Sequence, residues 1–163
     1  MSNLNTRASA LADRLLLGAN SLATFAEGLS DLEWNTPVLG DGRTIGVVIH
    51  HVASVYPIEV ELAKILSNGN PITEVTKEAI DKMNAEHAIE NNQTDKQKTI
   101  KLLKTNSENA ANAVRGFKDE ELDNSAPVSL YFDAPLTCQF FIEDHALRHS
   151  FHHLYRIQKT VNK

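Results

Sequence analysis

The sequence predicts an all-α protein, a four-helix bundle with additional short helices. Three observations carry that expectation. Four long segments repeat apolar residues at three- and four-residue steps, the spacing of one helix face. The breaks between them collect the glycines, prolines and asparagines that end helices. Only one short stretch, Ser129-Leu130-Tyr131-Phe132, reads as extended. At 163 residues the chain suits a single domain, 1–163, with enough length for a real core.

In chain order, Leu4, Ala8, Leu11, Leu15, Ala19, Leu22, Ala26 and Leu29 mark an amphipathic helix that ends near Gly28. Ser30-Asp31-Leu32-Glu33 has the spacing of a cap and first turn of a short helix. Trp34 follows as a core plug, and Asn35 to Arg43 is a connector rich in turn residues. Thr44 caps a second long helix to about residue 66, in which Pro57 removes a backbone donor and is expected to kink the axis. Residues 73–90 form a shorter helix. Thr94 with Gln97 has capping-box spacing for a third long helix to about residue 117. Small residues at Ser107, Ala110, Ala111 and Ala113 allow close packing there. Asp133-Ala134-Pro135 leads into a fourth long helix over about 136–160. Gly116-Phe117-Lys118-Asp119-Glu120-Glu121-Leu122 echoes Gly28-Leu29-Ser30-Asp31-Leu32-Glu33-Trp34, a hint of two related halves.

The chemistry concentrates in histidines. Of seven, four lie in Asp144–Tyr155, two are His50-His51, and His87 stands apart, read as structural or exposed. Neutral imidazole is the commonest metal ligand, and a pair at i and i+4 shares one helix face. On a helical wheel, Phe140, Leu147, Phe151 and Leu154 form one apolar stripe. Ile142, Ala146, His149, His153 and Ile157 form the stripe beside it, with His152 opposite and His145 at the border. In the second helix His51 aligns with Val48, Val55, Ile58 and Leu62, while His50 falls on a more polar side. The expected metal ligands are therefore His51, His149 and His153. Three protein ligands leave an open position, as in catalytic zinc sites. Glu59, Glu61 and His145 are candidates for a fourth ligand, the two glutamates also for a base. Asp144 and Glu143 are candidates to hold a ligand imidazole in place. No other catalytic residue is assigned.

Composition narrows the remaining classes. A net charge of −5 without a basic run gives nucleic-acid binding no electrostatic support. No apolar stretch approaches about 18 residues, so no membrane span is expected, and Met1-Ser2-Asn3-Leu4-Asn5 lacks the basic start and apolar core of a signal peptide. The single cysteine, Cys138, reads as a small buried hydrophobe and fits a reducing, cytoplasmic setting.

Thr44-Ile45-Gly46-Val47-Val48-Ile49-His50-His51 and His149-Ser150-Phe151-His152-His153 resemble the motifs of the DinB/YfiT-like superfamily, metal-binding four-helix bundles. In that family a histidine follows a Ser/Thr-Ile-Gly start and the last helix carries His-x-x-x-His. The resemblance places the ligands on the same three histidines. One departure is plain: Tyr155-Arg156 stand where members often have a small residue and glutamine. The resemblance implies a zinc or nickel cofactor, a homodimer and a small-molecule substrate. Some members act with low-molecular-weight thiols as S-transferases or isomerases, so transfer and hydrolysis are both expected chemistries. Arg148, Arg156 and Tyr155 are the cationic and phenolic candidates for holding an anionic substrate, but they lie away from the ligand stripe. The non-catalytic alternatives are a metal-binding stress-related protein and a metal-free interaction module.

Overall fold

The structure is a computed structural model that describes residues 6–162. Leu4 and the segment Met1–Asn5 lie outside the described residues. Helix α1 spans Thr6–Glu27, α2 Asp31–Trp34, α3 Ile45–Ser67, α4 Lys77–Glu90, α5 Lys96–Arg115 and α6 Asp119–Asp123. Strands β1 (Ser125–Val128) and β2 (Ala134–Thr137) then form a small antiparallel ribbon, pairing Ser125 with Thr137 and Val128 with Ala134. The last helix runs as α7 (Cys138–Ile142), a wide π turn over Glu143–Leu147, and α8 (Arg148–Val161).

Local chemistry sets these boundaries. Ser30 caps α2 in a capping box: Glu33 N–H donates to Ser30 Oγ at 3.2 Å and Ser30 N–H to Glu33 Oε2 at 2.8 Å. Lys118 N–H likewise donates to Glu121 Oε2 at 2.8 Å at the start of α6. Thr44 Oγ1 accepts from Val47 N–H at the head of α3. Pro57 lies inside α3, exposed, and the helix continues through it.

Four expectations need correction. The cap of α5 is Asp95, whose carboxylate accepts from Lys98 N–H at 2.7 Å; an aspartate one residue further on displaces the Thr94–Gln97 box. Helix α4 starts at Lys77 rather than near residue 73, because Ile72 is drawn into the ribbon. Ile72 N–H donates to Pro127 O, and Ser129 N–H to Ile72 O. Ser129–Tyr131 is a 3₁₀ turn, and the extended residues flank it. The turn closes with Phe132 and Asp133 at positive φ, where the chain reverses too tightly for extended backbone. Finally, α3 is long and apolar enough to cross a membrane by length and composition, although no uninterrupted run suggested it. Here 67% of its apolar window is buried, as befits the central helix of a bundle.

Among the described residues, the long helices pack as a ring in which α1 touches α5 and α8, and α3 touches α5 and the α7–α8 helix. Helices α1 and α3 therefore sit on one diagonal, α5 and α8 on the other. Leu11, Leu15 and Leu22 of α1, Ile45 and Ile49 of α3, Leu103 of α5 and Ile157 of α8 fill the centre. Ser107, Ala110 and Ala111 are buried on α5, and their small side chains let α1 and α3 approach it closely. Helix α4 buries no residue fully and lies over α3.

Trp34 is buried as expected, its Nε1–H donating to Thr94 O at 3.2 Å. Gly46 faces it. A Cβ added there would stand 2.3 Å from Trp34 Nε1 and 2.5 Å from Thr94 Oγ1. Gly46→Ala is expected to cost about 1–3 kcal/mol in denaturant unfolding, the range for forced overpacking. Gly28→Ala, whose added Cβ meets only Phe25 O at 3.6 Å, is the control and should change stability by less than about 0.5 kcal/mol.

Candidate metal centre

His51 lies on α3 two turns past its cap, and His149 and His153 stand one turn apart on α8. The helix ring makes α3 and α8 neighbours, so the three imidazoles meet. One ligand atom from each lies within 4.8 Å of the others. The ring centroids are 5.1 Å apart for His51–His149, 5.7 Å for His51–His153 and 4.9 Å for His149–His153. His51 and His153 are 6% and 5% exposed. Burial, then the neighbouring His149, pushes His51 down to about 3; burial, then His149 and His51, pushes His153 down to about 2. Both rings are therefore neutral at ordinary pH, the form that ligates a metal.

His149 is oriented by Glu59, one of the two glutamates singled out in the sequence. Its Nδ1 lies 2.8 Å from Glu59 Oε1. A carboxylate oxygen accepts, so Nδ1–H of His149 faces Glu59 and Nε2 is the remaining ring nitrogen. Glu59 is 7% exposed, and its Oε2 is buried without a hydrogen-bond partner. So is Nδ1 of His153. Buried polar atoms left without partners cost about 1–3 kcal/mol each, so the cluster is built to be completed by a further group.

The other candidates lie elsewhere. Glu61 is exposed and pairs with Lys64 at 2.6 Å. His145 stacks on Phe141 at 4.4 Å and its Nε2 is 3.0 Å from the Tyr131 hydroxyl, outside the three-histidine cluster. The π turn accounts for this: a wider turn moves His145 around the axis relative to His149. The same turn breaks the wheel's first stripe, leaving Phe140 44% and Phe151 37% exposed. Neither Asp144 nor Glu143, the candidate acids, holds a ring of the three-histidine cluster. Asp144 accepts from Tyr131 and Arg148, and Glu143 from Arg14. His152 is exposed, as the wheel placed it.

Two residues were not anticipated near the centre. His87 of α4 approaches His51 at 5.6 Å between ring centroids, and its Nε2 lies 2.9 Å from His50 Nδ1. Nothing in a separate short helix announces that approach. Arg43, read only as connector, lines the cavity over the triad. Its sequence signals were Asp41, two residues earlier, and its own place immediately before the Thr44 cap of α3. For Glu59 the available signal was stronger, since it follows His51 and Val55 at successive turns.

The cavity has a volume of about 480 Å³, within the usual range for small-molecule sites. The triad and Glu59 form part of its wall, and Val55, Ile58 and Leu62 of α3 face Ile80 and Met83 of α4 across it. Arg148 also lines it, whereas Arg156 and Tyr155 do not. Cys138 is buried and its thiol is pushed up to about 12 by burial, so it is no nucleophile.

A model of the DinB superfamily matches residues 14–157. Among solved structures, YfiT from Bacillus subtilis is similar over 95% of this chain and 84% of its own, with a TM-score of 0.68 and 15% sequence identity. YfiT is described as a probable metal-dependent hydrolase with an unusual four-helix bundle topology. At that identity the likeness shows the fold. No curated protein sequence gives a significant match.

The depressed histidines make stability depend on pH. Unfolded, each titrates near about 6.5; folded, His51 and His153 stay neutral down to about 3 and about 2. Between those limits the unfolded chain binds more protons, so stability falls as pH falls. In metal-free protein, His153→Gln should reduce the slope of unfolding free energy against pH by about 1.4 kcal/mol per unit between roughly pH 6 and 4. Urea titrations across that range measure it.

Proposed function

This chain belongs to the DinB superfamily, and from that premise we propose that it is a divalent-metal-dependent hydrolase of a small molecule. His51, His149 and His153 would hold the ion. The observation that carries the reading is the second oxygen of Glu59: buried, unpartnered, and belonging to a carboxylate that already orients His149 and lines the cavity. YfiT's description as a probable metal-dependent hydrolase supports the same class.

The residues fit such an ion. All three donors are imidazoles, suited to zinc or nickel; burial keeps two of them neutral, and the third spends Nδ1 on Glu59, which leaves Nε2 as its ligand atom. None of His145, Glu59 and Glu61 belongs to the three-histidine cluster, so the described residues supply three ligands, the number that leaves room for a reacting group. A bound divalent ion supplies Lewis acidity and lowers the pKa of water to about 7. Glu59 does two things. Oε1 accepts the Nδ1 proton of His149, and Oε2 is the basic atom nearest to hand that can take a proton during the reaction. The apolar wall of α3 and α4 holds the part of the substrate that does not react and keeps water from it.

Protein purified without nickel resin is expected to carry about one divalent ion per chain, and His51→Ala and His153→Ala to lose most of it. Elemental analysis measures this. Equal emptiness of wild type and variants after incubation with zinc and with nickel overturns the metal reading. Hydrolysis of p-nitrophenyl esters in thiol-free buffer should fall by about 100-fold or more in Glu59→Gln while the metal content is kept. Turnover that requires an added thiol and yields its conjugate replaces hydrolysis with thiol transfer.

A further inference from the structure

Arg43 precedes the cap of α3 and lines the same cavity as the histidines. Its guanidinium is fixed on one side. Nε donates to Asp41 Oδ1 at 2.6 Å and Nη2 to Asp41 Oδ2 at 2.9 Å, a two-point pairing that locks the plane of the fork. Asp41 also accepts from Arg156 Nη1 at 3.1 Å. Two guanidinium groups thus share one carboxylate, and one positive charge is left over. The third corner of the fork, Arg43 Nη1, is buried and has no hydrogen-bond partner.

A guanidinium cannot shed its proton to escape burial, so a buried, unused donor on a rigid fork is a strong preference for an acceptor. The acids that line the cavity do not supply it. Glu59 gives Oε1 to His149 and makes no hydrogen bond to Arg43 with Oε2, and Asp144 is taken by Tyr131 and Arg148. Glu74 is exposed. Arg43's charge is felt at His51, His87 and His153, where it opposes protonation. The cation therefore lies within electrostatic range of the triad. Most of the remaining wall is aliphatic, from Val55, Ile58 and Leu62 to Ile80 and Met83.

We propose that Arg43 is the anion anchor of this cavity, and that the cavity takes small monocarboxylates carrying an apolar chain. One surplus charge and one free corner of the fork match a monoanion. A dianion such as a phosphoryl group would need further donors, and the cavity lines itself with three carboxylates instead. Asp41 is a positioning residue: it touches no ligand but holds the guanidinium plane, and Arg156 ties it to α8. The proposal names the substrate class of the hydrolase reading and rests on that reading for what happens to the substrate, but binding at Arg43 does not require the metal.

Isothermal titration of metal-free protein with hexanoate, 1-hexanol and hexylphosphonate separates these terms. Wild type is expected to bind hexanoate about 10- to 100-fold tighter than 1-hexanol, the worth of one charge-assisted hydrogen bond. Arg43→Gln should abolish that preference and leave 1-hexanol binding within about twofold, with far-UV circular dichroism and zinc stoichiometry unchanged, because Arg156 still neutralises Asp41. Arg43→Lys, which keeps the charge without the fork, should fall between. Equal binding of hexanoate and 1-hexanol to wild type overturns the proposal. So does a hexanoate preference that survives in both variants, or tighter binding of hexylphosphonate than of hexanoate. Because the titration uses no metal, empty elemental analyses would sink the hydrolase reading and leave this result standing.

Discussion

The centre depends on the register between α3 and the last helix. Two buried contacts hold it. The Tyr56 hydroxyl lies 2.5 Å from Ser150 Oγ, and the Cys138 thiol donates to Ala63 O at 3.3 Å. Both are in the dry interior, where breaking a hydrogen bond leaves two unsatisfied atoms and sliding by one residue would break both. Ser150 stands between His149 and His153, and Tyr56 follows His51 along α3, so the first bond lies beside the imidazoles themselves. Burial raises the Tyr56 hydroxyl above its ordinary range and keeps it protonated. Hydrophobic packing alone tolerates small shifts; this polar pair does not.

Given that register, the π turn selects which histidines converge. An uninterrupted α-helix would put His145 one turn before His149, at the border of the ligand stripe. The wide turn at Glu143–Leu147 carries His145 toward Phe141 and Tyr131 and leaves His149 and His153 for α3. Such turns recur at functional sites because they aim a side chain without ending the helix. Glu59 completes the arrangement from the opposite helix, so that the ring bearing the most exposure of the three is also the one held by a carboxylate.

The ring of helices gives the faint internal echo a structural sense. Each half of the chain runs from a long helix through a short capped one to a histidine-bearing helix. Helices α1 and α3 form one diagonal, α5 and α8 the other. Ser30–Glu33 and Lys118–Glu121 make the same glutamate-to-backbone bond at corresponding places. The histidine helices become neighbours because each belongs to a different diagonal, whereas an up-and-down bundle would pair helices adjacent in sequence. The halves differ in their connectors: a glycine-rich loop bearing Arg43 precedes α3, and the ribbon precedes α7.

The sequence by itself determined the long helices, the faces that α1 and α5 bury and the three histidines that come together, because helical period and capping are local and act over one or two turns. Thr44 and Ser30 were legible as caps for that reason, and Asp95 was missed only by a residue. The family membership was legible in two short motifs for the same reason. What the tertiary structure alone decided was proximity. Glu59 on His149, His87 beside His50 and His51, and the free corner of Arg43 over the cavity all join residues far apart in the chain. They depend on which helices share an edge of the ring and on a turn wider than 3.6 residues. Neither leaves a mark in the spacing of apolar residues, because a buried face looks the same whichever neighbour covers it.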